Sequence, residues 1–409
     1  MQALRRKLDE LEHKLFAKGK PFEKLYPVYE MHDTILFTPG SVTNGSTHVR
    51  DGLDLKRMMI TVVIAMIPSV LVAMANVGLQ THLAMQKGAK PLDNLQETVY
   101  AAIGLGYDPS DWLANFVHGA CYFLPLLAVC FVAGGAVEVI NAIVRKHEVN
   151  EGFLVTGFLI PLVVAPTLPL WQMALATIFG VLIGKEIFGG TGFNILNPAL
   201  VARAFLFFAY PAEISGDKPW IAADFSGVDG FSGATWLGRA STDGMAEAGL
   251  GSLDLMDAFL GWEAGSMGET SAAAALIGAI ILIVTRIGSW RTMLGVCLGT
   301  FAMASLLNAV GSTTNPFFAV PFHYHVLLGG WAFGAVFMAT EPVTSPFTDI
   351  GRLIYGFGIG VLVVLVRVIN PAYPEGMMLA ILFMNMFAPF LDYWFVQGNI
   401  KRRLARHAV

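Results

Sequence analysis

The sequence predicts an all-α membrane protein of about ten transmembrane helices, in two inverted five-helix repeats with broken helices near the midplane. Three observations predict it. The chain is 55% hydrophobic and only 14% charged over 409 residues, and a soluble protein of that length needs far more charge to cover its surface. The apolar residues come in blocks of about 20, the length at which a helix crosses a bilayer core of about 30 Å. Two stretches also resemble each other: "GVLIGKEIFGGTGFNILNPALVARAFLF" from Gly180 and "GVLVVLVRVINPAYPEGMMLAILF" from Gly360. Both run Gly-Val-Leu, an apolar helix, Asn-Pro-Ala, then a helix ending in Leu-Phe. The period-two alternation of a membrane barrel is absent.

In chain order, residues 1–56 form a basic N-terminal segment. Leu4, Leu8, Leu11 and Leu15 make an apolar stripe among Arg5, Arg6, Lys7 and Lys14. This is the pattern of a short amphipathic helix lying on a membrane or a neighbouring subunit, or of a solvated helix. No cleavable signal is apparent, since the first apolar block starts only near Met58. "NGS" at Asn44 matches a glycosylation sequon and reads as a turn.

The spans are expected near 57–78, 114–144, 152–168, 171–188 and 196–211, then 272–287, 291–310, 322–340, 352–370 and 376–396. The first repeat covers 57–211 and the second 272–396. A long loop, 212–271, joins them, and 397–409 is a basic tail. Five spans is an odd number, so two such halves insert with opposite topology, as in many transporters and channels. Proline places the expected breaks at "PLVVAPTLPL" (161–170) and "ATEPVTSPF" (339–347), with Pro166 and Pro346 each fourteen residues before the repeat's leading glycine. Ordinary proline kinks are the other reading.

Basic residues set the orientation. Residues 1–57 carry ten Lys and Arg, the tail carries four, and the loops "VRKHEVNEG" (144–152) and "TRIGSWR" (285–291) are basic. With ten spans all of these fall on one side, the cytoplasm. Residues 211–270 hold only Lys218 and Arg239 against ten acids, so this loop is external. Both termini are expected in the cytoplasm, and the loop faces the periplasm if the cell is Gram-negative; the bacterial inner membrane is the setting implied by the resemblance given below.

Ionisable groups within spans cost roughly 2.5–3.5 kcal/mol each on insertion scales. Glu138, Lys185, Glu186, Arg203, Arg367 and Asp392 are such groups. Hard oxygen ligands at Glu138 and Asp392 suit Na⁺ or a proton relay; pairing with a nearby base is the alternative, and the favoured one for Lys185, Glu186 and Arg367. "AGGA" (133–136) clears one helix face, for close packing or for a flat ligand. Only His118 falls inside an expected span, which argues against a membrane haem with paired axial ligands; His323 and His325 read as interfacial. Cys121, Cys130 and Cys297 lie in apolar blocks without Cys-x-x-Cys spacing, so they read as small hydrophobes.

The external loop holds "DGFSGAT" (229–235), small, polar and ending on an exposed-looking hydroxyl. It matches Asp-x-x-(Ser/Thr)-Gly-Ala-Thr and resembles the sequence at which bacterial flavin transferases attach FMN to a threonine hydroxyl as a phosphoester. Small residues at Gly233 and Ala234 let the backbone enter a tight enzyme site, where positioning and a metal supply most of the catalysis. Together with "GGAVEVINAIVRKHEVNEGFLVTG", "GGTGFNILNPALVARAFLFFAYP" and "MATEPVTSP", it makes essentially the whole chain resemble the NqrB family, flavin-bearing membrane subunits of the Na⁺-translocating NADH:quinone oxidoreductases. The related RnfD subunit of the Rnf complex, and a plain ion or solute channel of the same fold, are the alternatives.

The resemblance implies a role. Electrons from NADH, which enters on another subunit, pass to covalent FMN, then to riboflavin, then to ubiquinone, coupled to Na⁺ export. It implies partners: the other subunits of the complex (NqrA, NqrC, NqrD, NqrE and NqrF), the flavin transferase and the membrane, with no nucleic acid. It also implies sites: Thr235 for FMN; Asn194 and Asn197 for riboflavin; Gly134, Gly135, Glu151, Gly152, Phe153, Phe205 and Phe207 around quinone; Glu138, Glu341 and Asp392 on the Na⁺ path. For Asn197, capping of the helix that begins at Pro198 is the competing reading. No strand–Gly-rich-turn–helix unit for a nicotinamide is visible, so the chain is one component of such an enzyme.

Overall fold

The structure, a computed structural model, describes residues 2–16, 19–27, 29, 55–146, 149, 152–216, 219–226, 228, 233–247, 253–370 and 373–407. Asn44, Glu151, residues 229–232 of "DGFSGAT" and the Pro371–Ala372 pair of the second repeat lie outside the described residues.

All ten expected spans contain helix, the eighth only in short pieces. Six are long and apolar enough to cross a membrane: span one (Leu55–Gln86), two (Trp112–Arg145), four (Leu170–Gly184, extended by a turn to Phe188), seven (Trp290–Val310), nine (Asp349–Ile369) and ten (Met377–His407). Three are short: span three (Gly152–Leu162), five (Pro198–Ala209) and six (Ala272–Val284), of 11, 12 and 13 residues. At 1.5 Å per residue these reach only about 17–20 Å, well short of the hydrocarbon thickness. The non-helical end of span three is tolerable because Val163, Val164, Ala165 and Pro166 are buried in protein.

Both proline-marked breaks occur. Span three ends at Leu162 and the chain runs through turns to Pro169; the second break spans residues 339–348. The first is stitched by the loop before span six, where Met267 N donates to Val164 O at 2.9 Å and Gly268 N to Leu162 O at 2.7 Å. Those two bonds take up carbonyls that the broken helix leaves over.

Span eight departs from the expected single helix. It is a short helix Phe322–Leu327, an interruption, one turn at Trp331–Phe333, and a π-helical stretch Gly334–Met338. The interruption is the glycine pair: Gly329 adopts φ +68°, a left-handed conformation that side chains disfavour. Polar caps set several starts. Asp111 Oδ1 accepts from Leu113 N and Ala114 N at span two, and Ser271 and Ser289 cap spans six and seven.

Within the halves, small residues let helices touch by backbone. A Cβ on Gly119 of span two would lie 1.8 Å from Met74 O of span one, and a Cβ on Gly360 of span nine would lie 2.2 Å from Val296 O of span seven. The halves meet where span one packs on span six. One hydrophobic core then runs through both, from Met66 and Leu126 to Phe337 and Ile381.

Candidate functional site

At one end of the seam between the halves lies a cavity of about 50 Å³. Span one gives Met58 and Met59, span three Gly152 and Thr156, and the segment after span four Lys185, Thr191, Asn194 and Asn197; the second break contributes Thr340 and Glu341. Asn197 is the N-cap of span five: its Oδ1 accepts from Ala199 N at 3.0 Å and Leu200 N at 3.2 Å, with Pro198 following. The cap reading is therefore correct, and the Asn197 amide nitrogen is turned to Glu341 on the cavity wall. Asn194 donates to Leu196 O at 3.2 Å. The Glu341 carboxylate faces both amides and accepts from Thr344 Oγ1 at 2.9 Å.

Amides that both donate and accept, beside a carboxylate and an ammonium, match the polar edge of an isoalloxazine in chemistry. In volume the cavity falls below the usual ligand range of about 300–1,000 Å³. A flavin there requires the wall to open, and Met58 and Met59 on it are flexible side chains. Asn197→Ala is expected to lower stability by about 0.5–2 kcal/mol through the lost cap, and Asn197→Ser to restore it; thermal unfolding in detergent checks both.

The expected Na⁺ ligands converge only in part: Glu138 and Glu341 both face Lys185, and Asp392 does not join them. Glu138 is buried and bonded to Lys185 Nζ, which also lies 3.2 Å from Thr191 Oγ1 and 3.7 Å from Glu186. Pairing with a base is thus what this carboxylate does here. Asp392 is elsewhere, capping span nine from span ten: it accepts from Phe347 N at 2.7 Å, Thr348 N at 2.9 Å and Thr348 Oγ1 at 2.7 Å. Among the described residues no group of three or more His, Cys, Asp or Glu has metal-holding geometry.

The expected quinone residues separate into three places. Gly134 is a packing glycine: a Cβ there would lie 2.2 Å from the Phe153 ring, and that ring meets Phe131 edge-on. Gly135 faces open space, and Gly152 sits against Thr191. Phe205 stacks on Phe179 at 4.7 Å in an apolar crevice between spans four, five and ten. Phe207 packs on Tyr373. So "AGGA" serves close packing on its Gly134 side, while its Gly135 side remains open.

Thr235 is buried, where the sequence suggested exposure. It begins the helix Trp236–Glu247, and its Oγ1 accepts from Gly238 N at 3.1 Å. Arg239, one turn on, stacks over Trp236 at 4.7 Å. The hydroxyl therefore sits where a helix presents its positive end. It also borders a second, smaller cavity, closed by the loop before span six and by Gly329 and Gly330. Within that wall Arg203 of span five donates to Glu269 Oε1 at 2.8 Å and to Ser266 Oγ at 3.2 Å.

Sequence reasoning missed a third polar cluster. Span one continues past residue 78 and carries His82 into the interior, so His118 is not the only histidine in a span. His82 Nε2 lies 2.9 Å from His118 Nδ1, and His118 Nε2 lies 2.9 Å from Glu97 Oε2. Tyr107 and Tyr122 also donate to Glu97, at 2.6 and 3.3 Å. Burial pushes this carboxyl up, but those hydrogen bonds outweigh it and hold Glu97 below the usual carboxylate range. The two rings are bonded to each other, an arrangement unlike paired haem ligands.

Comparison with known proteins gives this geometry a family. The profile of the NQR2, RnfD, RnfE family matches residues 42–401. A protein of Chromohalobacter salexigens, named as the B subunit of a Na⁺-translocating NADH-quinone reductase, is 54% identical over 405 residues, 99% of this chain and 97% of its own. Proteins of the same name from Ectopseudomonas mendocina and Pseudomonas aeruginosa are each 53% identical, over 98% of both chains and 99% of both chains respectively. With a profile covering most of its length and relatives more than half identical from end to end, the chain belongs to the NQR2, RnfD, RnfE family.

Proposed function

We propose that the chain is the membrane subunit of a Na⁺-translocating NADH-quinone reductase, an oxidoreductase complex built with further subunits. In this reading Thr235 carries FMN as a phosphoester and a riboflavin lies near Asn194 and Asn197. Electrons pass from the flavins to ubiquinone, coupled to Na⁺ export across a bacterial inner membrane.

The observation that supports it most is the setting of Thr235. A phosphoester on its Oγ1 places an anionic phosphate at the N-terminus of a helix, a position that stabilises phosphate through free N–H groups and the helix dipole. Arg239 stands one turn away as a cation. When bound, the flavins supply the one- and two-electron chemistry. The chain's own residues orient them: Asn194 and Asn197 by their amides, Thr235 by its covalent bond.

Coexpression with a flavin transferase and mass mapping of the peptide containing Thr235 tests this. One added FMN phosphoester on that threonine is expected. An unmodified peptide from membranes where the transferase is active would overturn the assignment.

A further inference from the structure

Glu97, His118 and His82 form a buried chain of hydrogen bonds that the proposed electron path does not use. It lies where the short helix Leu95–Ile103 packs on span two, and span two on span one. Lys90, between span one and this helix, pairs its backbone with Asp224 of the long loop at 2.9 and 2.8 Å. Ala84 and Ala89 pack there with Ile221 and Ala223. The segment over the chain is thus tied to the loop that carries Thr235.

The partners fix where the hydrogens are. At one end, the neighbours of Glu97 are donors. Tyr107 gives its hydroxyl hydrogen to Oε1; burial, then this bond, push that phenol up, so it remains a donor. Tyr122 gives its own to Oε2, and accepts in turn from Asn94 Nδ2 at 3.3 Å. A carboxyl ringed by donors and held below the usual carboxylate range is ionised. His118 Nε2, 2.9 Å from Oε2, therefore bears a hydrogen.

At the other end, Asn115 turns its Nδ2 to Pro109 O at 2.8 Å, which leaves Oδ1 for His82. The Asn115 side chain and the Asp108 carbonyl both face the His82 ring. These are acceptors, so His82 Nδ1 bears a hydrogen. Without it, Nδ1 and Asn115 Oδ1 would be two buried acceptors, and neither has another partner. Between the rings, the 2.9 Å contact of His82 Nε2 and His118 Nδ1 needs one hydrogen more. That makes three on two rings, one more than two neutral imidazoles carry.

Charge and stacking place the extra proton. Among the described residues, the base within ion-pair distance of Glu97 is His118. With both rings neutral, this buried carboxylate would stand uncompensated, which is costly. The Tyr100 ring lies flat on His118, with centroids 4.0 Å apart at 8°, and so offers its negative face to a cation. The Tyr100 hydroxyl is spent on Gly106 O.

We propose that the Glu97–His118–His82 chain is a proton-binding latch: one proton, seated on His118, compensates Glu97 and fastens the helix Leu95–Ile103 to spans one and two. Alkali removes this proton and leaves Glu97 as a bare buried charge, so the helix loosens. Acid opens the latch only by neutralising Glu97, below the usual carboxylate range. The other titratable groups around it are Tyr100, Tyr107, Tyr122 and Cys121, neutral at neutral pH, and Asp111, which caps span two.

Two measurements on the full chain in detergent test this. Nitrogen-15 NMR of histidine-labelled protein at pH 7.5, where a free imidazole is mostly neutral, is expected to show an imidazolium that Glu97→Gln removes. Its absence from the wild type, or its survival in Glu97→Gln, overturns the seat of the proton. Should Glu97→Gln not fold, hydrogen exchange of the wild type decides. Between pH 7 and pH 10 the amides of residues 95–103 are expected to lose protection at least roughly tenfold, as when one partner of a buried charge pair is removed. This is after correction for the pH dependence of exchange itself, and span nine is expected not to follow. The phenol of Tyr100, pushed up to about 12 by burial and then by Glu97, keeps its proton in this range. Protection that falls equally in both segments, or in neither, overturns the latch.

Discussion

Thr235→Ala will yield a chain that inserts normally and carries no covalent flavin, seen as loss of the fluorescent band that persists through denaturing electrophoresis. Two separate losses are expected from removing one hydroxyl. The first is chemical: the attachment oxygen is gone, and electron flow to quinone falls with it. The second is structural and small. Gly238 N loses its acceptor, which costs about 1 kcal/mol for an N-cap. Thr235→Ser separates them, because serine caps as well as threonine and keeps a nucleophilic oxygen. The Ser variant should match the wild type in unfolding temperature whatever its flavin content. A fluorescent band on Thr235→Ala would move the attachment to another residue.

The second large effect is expected at Arg367. The side chain is fully buried in span nine, and its fork is held by three carbonyls: Nε on Glu375 O at 3.0 Å, NH1 on His325 O at 2.6 Å, NH2 on Leu328 O at 3.1 Å. It ties the interruption of span eight to the turn before span ten. Arg367→Met leaves those carbonyls buried and unsatisfied, at a cost of about 3–5 kcal/mol, the size seen when one member of a buried charged set is removed. Arg367→Lys is expected to recover little, since an ammonium on a flexible stem cannot hold three carbonyls in a planar fork. Thermal unfolding in detergent measures both. A lysine variant as stable as the wild type would refute the role of the fork.

The spans were legible because hydropathy blocks and proline punctuation are local signals. "PLVVAPTLPL" and "ATEPVTSPF" both break the chain, and Asn197 before Pro198 reads correctly as a cap. Other features depend on partners distant in sequence. Span one continues past residue 78 through "QTHLAMQ", where hydropathy falls but the helix persists because Thr81 and His82 are covered. Glu97, His118 and His82 meet only after three segments pack. Glu138 looked like a free carboxylate until Lys185, 47 residues on, closed over it. Span eight hides its break because "LLGGWAFG" is apolar throughout, and the decisive fact is the backbone angle at Gly329. Gly134 and Gly135 are neighbours in sequence, yet one meets Phe153 and the other nothing within 4 Å.

Span five has an electrical consequence. Its cap, Asn197, is in the first cavity; Arg203, six residues on, holds Glu269 at the second. At 1.5 Å per residue that is about 9 Å along the helix axis, against a hydrocarbon layer of about 30 Å. Were each cavity hydrated from its own side of the membrane, the insulating layer would shorten to this stretch and a membrane voltage would concentrate across it. An ion passing from one cavity to the other would then cross most of the potential within two helical turns, exchanging about 2.3 kcal/mol per 100 mV. The short helix would then act as a thin dielectric as well as a scaffold.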